Sequence, residues 1–116
     1  MNKHHLAKIK GVMSLTQGII KGLRVFHRLE MLHRDLKPEN IMIAKSCEVK
    51  IIDFGSVKIA GIHEINTPVE RLELLGTKNY TAPEYLLGGE GNNQSDIYSL
   101  GVIIYEMLTG QLPYGE

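Results

Sequence analysis

His33-Arg34-Asp35-Leu36-Lys37-Pro38-Glu39-Asn40, followed a few residues later by Asp53-Phe54-Gly55, is the part of this 116-residue chain whose reading decides the fold. Between the two stretches lie Ile41-Met42-Ile43-Ala44 and Val49-Lys50-Ile51-Ile52, two β-prone runs separated by Lys45-Ser46-Cys47-Glu48, a pattern that predicts a hairpin. A tight hairpin sets the loop before it beside the loop after it, so Asp35, Lys37, Asn40 and Asp53 are expected to converge on one small volume. Asn and Asp side chains are hard oxygen donors. Two of them with open positions suit Mg²⁺, which is held by a few protein ligands together with phosphate oxygens and water. A carboxylate and a lysine in the same volume add a base and a positive charge, and the combination implies a phosphate-bearing substrate.

Upstream, Val12, Leu15, Ile19, Leu23, Phe26 and Leu29 recur at steps of three and four and predict an amphipathic helix ending near Glu30. Ser14 with Gln17 would form a capping box, although the apolar spacing can also begin earlier. Downstream, the stretch from Gly55 to Gly91 has broken periodicity and reads as a long loop-rich segment, which inside a compact domain signals function. From Ser95 to Thr109 a helix is well punctuated, with Ser95 as N-cap, Asp96 in the first turn, Gly110 just past the last turn and Pro113 beyond it. Ile97, Leu100, Val102, Ile103, Ile104, Met107 and Leu108 lie nearly all round this helix and predict burial on most sides.

Net charge is zero, but residues 1–50 carry 10 Lys/Arg against 4 Asp/Glu and residues 51–116 carry 3 against 9. Lys8, Lys10, Lys21, Arg24 and Arg28 read as a solvated helix face and not as a nucleic-acid patch, because no aromatic residues interleave with them. No apolar run approaches the roughly 18–20 residues of a membrane span, and the N-terminus has no secretory pattern. Cys47 stands alone, so no internal disulfide can form and a reducing, cytoplasmic compartment is expected, with the thiol inert in a turn.

In their order and strand context the two stretches resemble the catalytic loop and DFG motif of protein kinases. Gly76-Thr77 and Tyr80-Thr81-Ala82-Pro83-Glu84 resemble the end of that family's activation segment, and Asp96-Ile97-Tyr98-Ser99-Leu100-Gly101 the start of its buried central helix. The resemblance covers the chain from about Leu15 onward. It extends to bacterial eukaryotic-like kinases, including, over Ala60–Ile65 and Gly76–Leu87, those fused to a protein phosphatase domain. It implies an α+β, mostly α fold over residues 1–116: a partial kinase C-lobe made of one helix, the catalytic loop, a short β-hairpin, the activation segment and the central helix. The implied cofactors are ATP and Mg²⁺, and the implied partner is a protein with a Ser or Thr hydroxyl, with no nucleic acid.

By the same resemblance Asp35 accepts the substrate proton, Lys37 neutralises charge on the transferring phosphoryl group, and Asn40 and Asp53 are the metal ligands. Lys37, Glu39, Asn40, Met42 and Asp53 form the ATP-binding set, Met42 flooring the adenine pocket. Lys37 two positions after the base, with Thr77 placed to bond Asp35 and Lys37, resembles the serine/threonine subgroup. Arg34 resembles the arginine that pairs with a phosphorylated activation segment, and Glu73, four residues before Thr77, is expected to supply a standing negative charge there. His33 and Phe54 are expected to be structural.

Plainer readings exist for single motifs. An isolated HRD triplet is a charge cluster, an isolated DFG a turn, and Met42 by periodicity a hairpin core residue. His4, His5, His27 and His63 read as surface or boundary residues, and Gly88-Gly89-Glu90-Gly91 as a loop with no phosphate-cradle spacing. Nothing upstream of Leu15 resembles a kinase N-lobe, so that lobe is expected in cis in a longer parent. After Lys78 there is no Lys or Arg to pair with Glu84, so marginal stability is expected of the isolated chain. A truncated binding module and a non-functional product of a broken reading frame are the alternatives to an enzyme.

Overall fold

The computed structural model describes residues 2–52, the backbone of 58–59, and residues 79–114. Helix α1 spans Lys3–Arg28, followed by strand β1 (Met31–Leu32), a 3₁₀ turn (Pro38–Asn40), strands β2 (Ile41–Ile43), β3 (Val49–Ile51) and β4 (Lys58–Ile59), the short helix α2 (Pro83–Leu86) and helix α3 (Asn93–Thr109). The architecture is mostly helical α+β, as the sequence predicts.

Helix α1 starts earlier than the Ser14 capping box would have it. The cap is Asn2, whose side chain accepts the His5 N–H at 2.8 Å. That bond satisfies one of the N–H groups a helix start leaves without an intrahelical partner. The apolar stripe does what its spacing requires: Val12, Ile19, Leu23 and Phe26 are buried. Leu29 lies just past the helix end and is 62% exposed. The basic residues Lys8, Lys10, Lys21, Arg24 and Arg28 are all exposed, a solvated face.

The predicted hairpin is present. β2 and β3 pair antiparallel in the register Ile41 to Ile51, Met42 to Lys50 and Ile43 to Val49. The turn closes through the Ala44 N–H on the Glu48 carbonyl at 2.8 Å, with exposed Cys47 at φ 67°. The hairpin rests on α1 at two glycines one turn apart. A Cβ on Gly18 would stand 2.5 Å from Val49 Cγ2, and one on Gly22 would stand 2.7 Å from Ile51 Cδ1. A side chain at either position would force a shift, because real Cβ contacts essentially never come closer than about 3 Å; at Gly18 it would have to be made by the branched Val49 side chain and at Gly22 by the end of Ile51. β1 pairs antiparallel with β4, Met31 to Ile59 and Leu32 to Lys58, and so returns the chain to the end of α1 beyond the hairpin.

Helix α3 packs across α1, and Ile19, Leu23, Leu36, Tyr80, Leu100, Val102 and Ile103 form the core. Its N-terminus corrects the expected cap. Asn92 is the N-cap and Ser95 sits three residues on, completing a reciprocal capping box in which the Asn92 N–H bonds Ser95 Oγ at 3.0 Å. Gly110 ends the helix at φ 76°, and its N–H bonds the Glu106 carbonyl. The expectation of burial on most sides does not hold among the described residues. Ile97, Tyr105 and Leu108 are 45–49% exposed, because α1 and the segment around Tyr80 cover only one side of the helix.

Candidate active site

The loop from His33 to Asn40 is held from below by one carboxylate on α3. Asp96 Oδ1 accepts the Arg34 N–H at 2.9 Å, and Oδ2 accepts the His33 N–H at 2.9 Å and lies 2.9 Å from His27 Nε2. Asp96 is 1% exposed, so three polar partners compensate a charge that burial would otherwise make very costly. His33 is fully buried. Its Nε2 lies 2.8 Å from the Ile52 carbonyl and its Nδ1 accepts the Asp35 N–H at 3.2 Å, which ties the loop to the end of the hairpin. Phe26 packs on the His33 ring at 5.5 Å between centroids. His33 is thus structural, as expected.

Above this anchor three of the predicted site residues, Asp35, Lys37 and Asn40, come together. Asn40 Nδ2 donates to the Asp35 carbonyl at 2.6 Å and lies 3.4 Å from Asp35 Oδ2, while Lys37 Nζ stands 3.7 Å from the same Oδ2. Asp35 and Asn40 are 6% and 5% exposed. Because its amide nitrogen is committed to Asp35, the Asn40 carbonyl oxygen is directed away from that contact and remains a hard donor of the kind Mg²⁺ takes. The Asn40 carbonyl on the main chain meanwhile accepts the Ile52 N–H at 2.8 Å, which puts the residue before Asp53 directly beside Asn40.

Asp53, Phe54, Thr77, Glu73 and His63 lie outside the described residues. Glu39 is exposed on the 3₁₀ turn. Met42 corrects the expectation of a hairpin core residue: it is 55% exposed, because β2 turns Ile41 toward the core and Met42 away from it.

Arg34 adopts φ 72°, a left-handed conformation that costs a non-glycine residue about 1–2 kcal/mol. Its guanidinium lies over the Tyr85 ring, 5.7 Å from the centroid. Burial, with Asp96 nearby, pushes the Tyr85 phenol up to about 12, while Arg34 pulls it the other way, so the ring is neutral. Tyr80, part of the core, donates a short hydrogen bond to Glu106 Oε1, and burial together with that bond raises its pKa. Glu84, for which the sequence offers no basic partner after Lys78, accepts the Ser95 hydroxyl at 2.5 Å.

A family model for the protein kinase domain matches residues 1–116. The chain belongs to the protein kinase family. It is 40% identical over 104 residues to the serine/threonine-protein kinase PknL of Mycobacterium tuberculosis, covering 89% of this chain and 25% of that protein. It is 46% identical over 94 residues to the serine/threonine-protein kinase PknA of Corynebacterium glutamicum, covering 80% and 19%. A probable serine/threonine-protein kinase pknA2 of Bifidobacterium longum is 36% identical over 114 residues, covering 98% and 15%. The kinase chain thus spans a quarter or less of the length of these relatives.

Three residues that anchor or pack against this loop escape a reading of the sequence. Asp96 reads as a first-turn acid serving the helix dipole, yet it shares a helical face with the buried Ser99, Leu100 and Ile103, a spacing that marks it as inward-facing. His27 reads as a boundary residue; it is one, at 15% side-chain exposure, but its partner is Asp96. Tyr85 carries no signal of its own beyond following Glu84.

Proposed function

We propose that this chain forms the catalytic-loop part of a serine/threonine protein kinase that transfers the γ-phosphoryl group of Mg·ATP to protein hydroxyls. The observation that carries the reading is the clustering of Asp35, Lys37 and Asn40 on a loop whose backbone is fixed by buried Asp96. The family membership and the names of its relatives support it. In this reading the elements are those of a kinase C-lobe, with α3 its central helix.

Asp35 orients the substrate hydroxyl and accepts its proton as the oxygen bonds phosphorus and the bond to the ADP oxygen breaks. General-base help of this kind contributes on the order of 10²–10⁴ in rate. Lys37, at 3.7 Å from Asp35, reaches the transferring phosphoryl group and offsets its charge. Asn40 and Asp53 would hold Mg²⁺, which would supply charge neutralisation at the ATP phosphates. Thr77, by its resemblance to the family's threonine, would act with Asp35 and Lys37 to favour Ser/Thr substrates. Exposed Met42 offers an apolar floor to the adenine ring, with Glu39 at the rim. The N-lobe that covers ATP is supplied in cis by a longer cytoplasmic parent. No helix among the described residues is long and apolar enough to cross a membrane.

Nucleotide binding measured against Mg²⁺ concentration in the complete kinase domain tests the reading. N40A and D53A should each weaken Mg·ATP binding while leaving metal-free ATP binding unchanged, and D35N should bind normally without transfer. Metal-independent binding in all of these variants would contradict it.

A further inference from the structure

We propose that Tyr85 is a positioning residue for phosphotransfer, its ring serving as the seat that holds the Arg34 guanidinium and, through Arg34, the direction of the adjacent base Asp35. The inference rests on the proposed kinase function. Arg34 adopts a left-handed backbone, φ 72°, immediately before Asp35, so whatever fixes Arg34 fixes the direction in which Asp35 leaves the chain. It is fixed at both ends. Its N–H bonds Asp96 Oδ1 at 2.9 Å, and its guanidinium lies 5.7 Å from the centroid of the Tyr85 ring, within the range where a cation is drawn to the negative face of an aromatic ring. With Arg34 at 7% exposure and Tyr85 at 3%, water screens this contact little.

The seat is itself rigid. Tyr85 packs with Ala82 and Tyr98, and Gly91, at φ 79°, closes over the phenol so tightly that a Cβ there would stand 2.2 Å from the Tyr85 oxygen. The Gly91 backbone on one side and the packing of Ala82 and Tyr98 on the other confine the ring. The stack therefore links the end of the activation segment, where Tyr85 follows Ala82-Pro83-Glu84, to the catalytic loop by a contact that needs the ring and not the hydroxyl.

The test uses the complete kinase domain with phenylalanine and its mono-, tri- and pentafluorinated analogues at position 85, since fluorine drains the negative ring face with little change in shape. Y85F should retain kcat to within about twofold of the parent. kcat should then fall with each fluorination step, to about tenfold below Y85F for the pentafluorinated ring, with KM for ATP held to within about twofold. Y85L in an R34Q background should cost nothing beyond R34Q alone. A kcat that stays flat across the fluorinated series overturns the proposal, as does a Y85L loss that adds fully to that of R34Q. Absence of phosphotransfer by the unsubstituted domain would instead overturn the kinase reading beneath it.

Discussion

Asp96 and Arg34 stand 62 positions apart in the chain, and the Oδ1 of the first accepts the backbone N–H of the second at 2.9 Å, with the second held at φ 72°. The strained backbone and the buried carboxylate compensate one another. Without the acceptor, Arg34 would relax out of the left-handed region and two buried N–H groups, those of His33 and Arg34, would lose their partner. Each such loss costs about 1–3 kcal/mol. D96A should therefore lower stability by about 3 kcal/mol or more, and D96N, which keeps one acceptor oxygen, by less. Urea unfolding of the chain measures both, and equal stability of D96A and the parent would contradict the anchoring role.

The glycines of α1 give opposite expectations according to what faces them. G18A drives a Cβ to within 2.5 Å of the β-branched, stiff Val49 side chain and should destabilise by about 1–3 kcal/mol. G22A meets the terminal Cδ1 of Ile51 at 2.7 Å and its Cγ1 at 3.2 Å, a side chain whose end can turn aside, so the gain in helix propensity, about 1 kcal/mol, should offset most of the clash. G11A meets nothing within 4 Å and should stabilise by about that same amount. Thermal midpoints of the three variants rank them, and V49A should rescue G18A.

Alkaline pH should loosen the fold through the buried tyrosines. Tyr85 is raised from 10.0 to about 12 and Tyr80 is raised further, so the folded state binds more protons than the unfolded state once pH exceeds 10. Their contribution is complete below pH 10 and is lost as pH climbs toward 12. The unfolding midpoint should be level at neutral pH and decline above 10, with tyrosinate absorbance from these two residues appearing only as the chain unfolds. Y80F and Y85F together should flatten that decline.

Removing Asn40's amide should disorder the loop it closes. N40L deletes the 2.6 Å bond to the Asp35 carbonyl inside a site where Asp35 and Asn40 are nearly fully buried, at about 1–3 kcal/mol. Slowed amide exchange in residues 35–40 of the parent, and fast exchange there in N40L, is the expected contrast.

Much of this was legible in the sequence for physical reasons. The α1 stripe, the hairpin and the Gly110 stop are local patterns, set by spacing and by residues whose backbone preferences decide a turn or an end. The juxtaposition of Asp35, Lys37 and Asn40 followed from placing a loop before a short hairpin. What stayed hidden depends on distant partners. Asn2 and Asn92, not Ser14 and Ser95, cap the helices, since several polar residues near each start compete for that role. Asp96 reaches across 62 positions to the loop, and no local pattern announces that contact. Met42 alternates outward because the hairpin rests on α1 through β3, with Val49 on Gly18 and Ile51 on Gly22, which periodicity alone does not specify.

The central claim is that this loop performs phosphotransfer with Asp35 as its base. Transfer of isotopically labelled γ-phosphate from Mg·ATP to a protein acceptor by the complete kinase domain, compared with its D35N variant, tests it most directly. The account predicts label on serine and threonine that falls by about 10²-fold or more in D35N. Label that persists undiminished in D35N, or that sits on tyrosine alone, would contradict it.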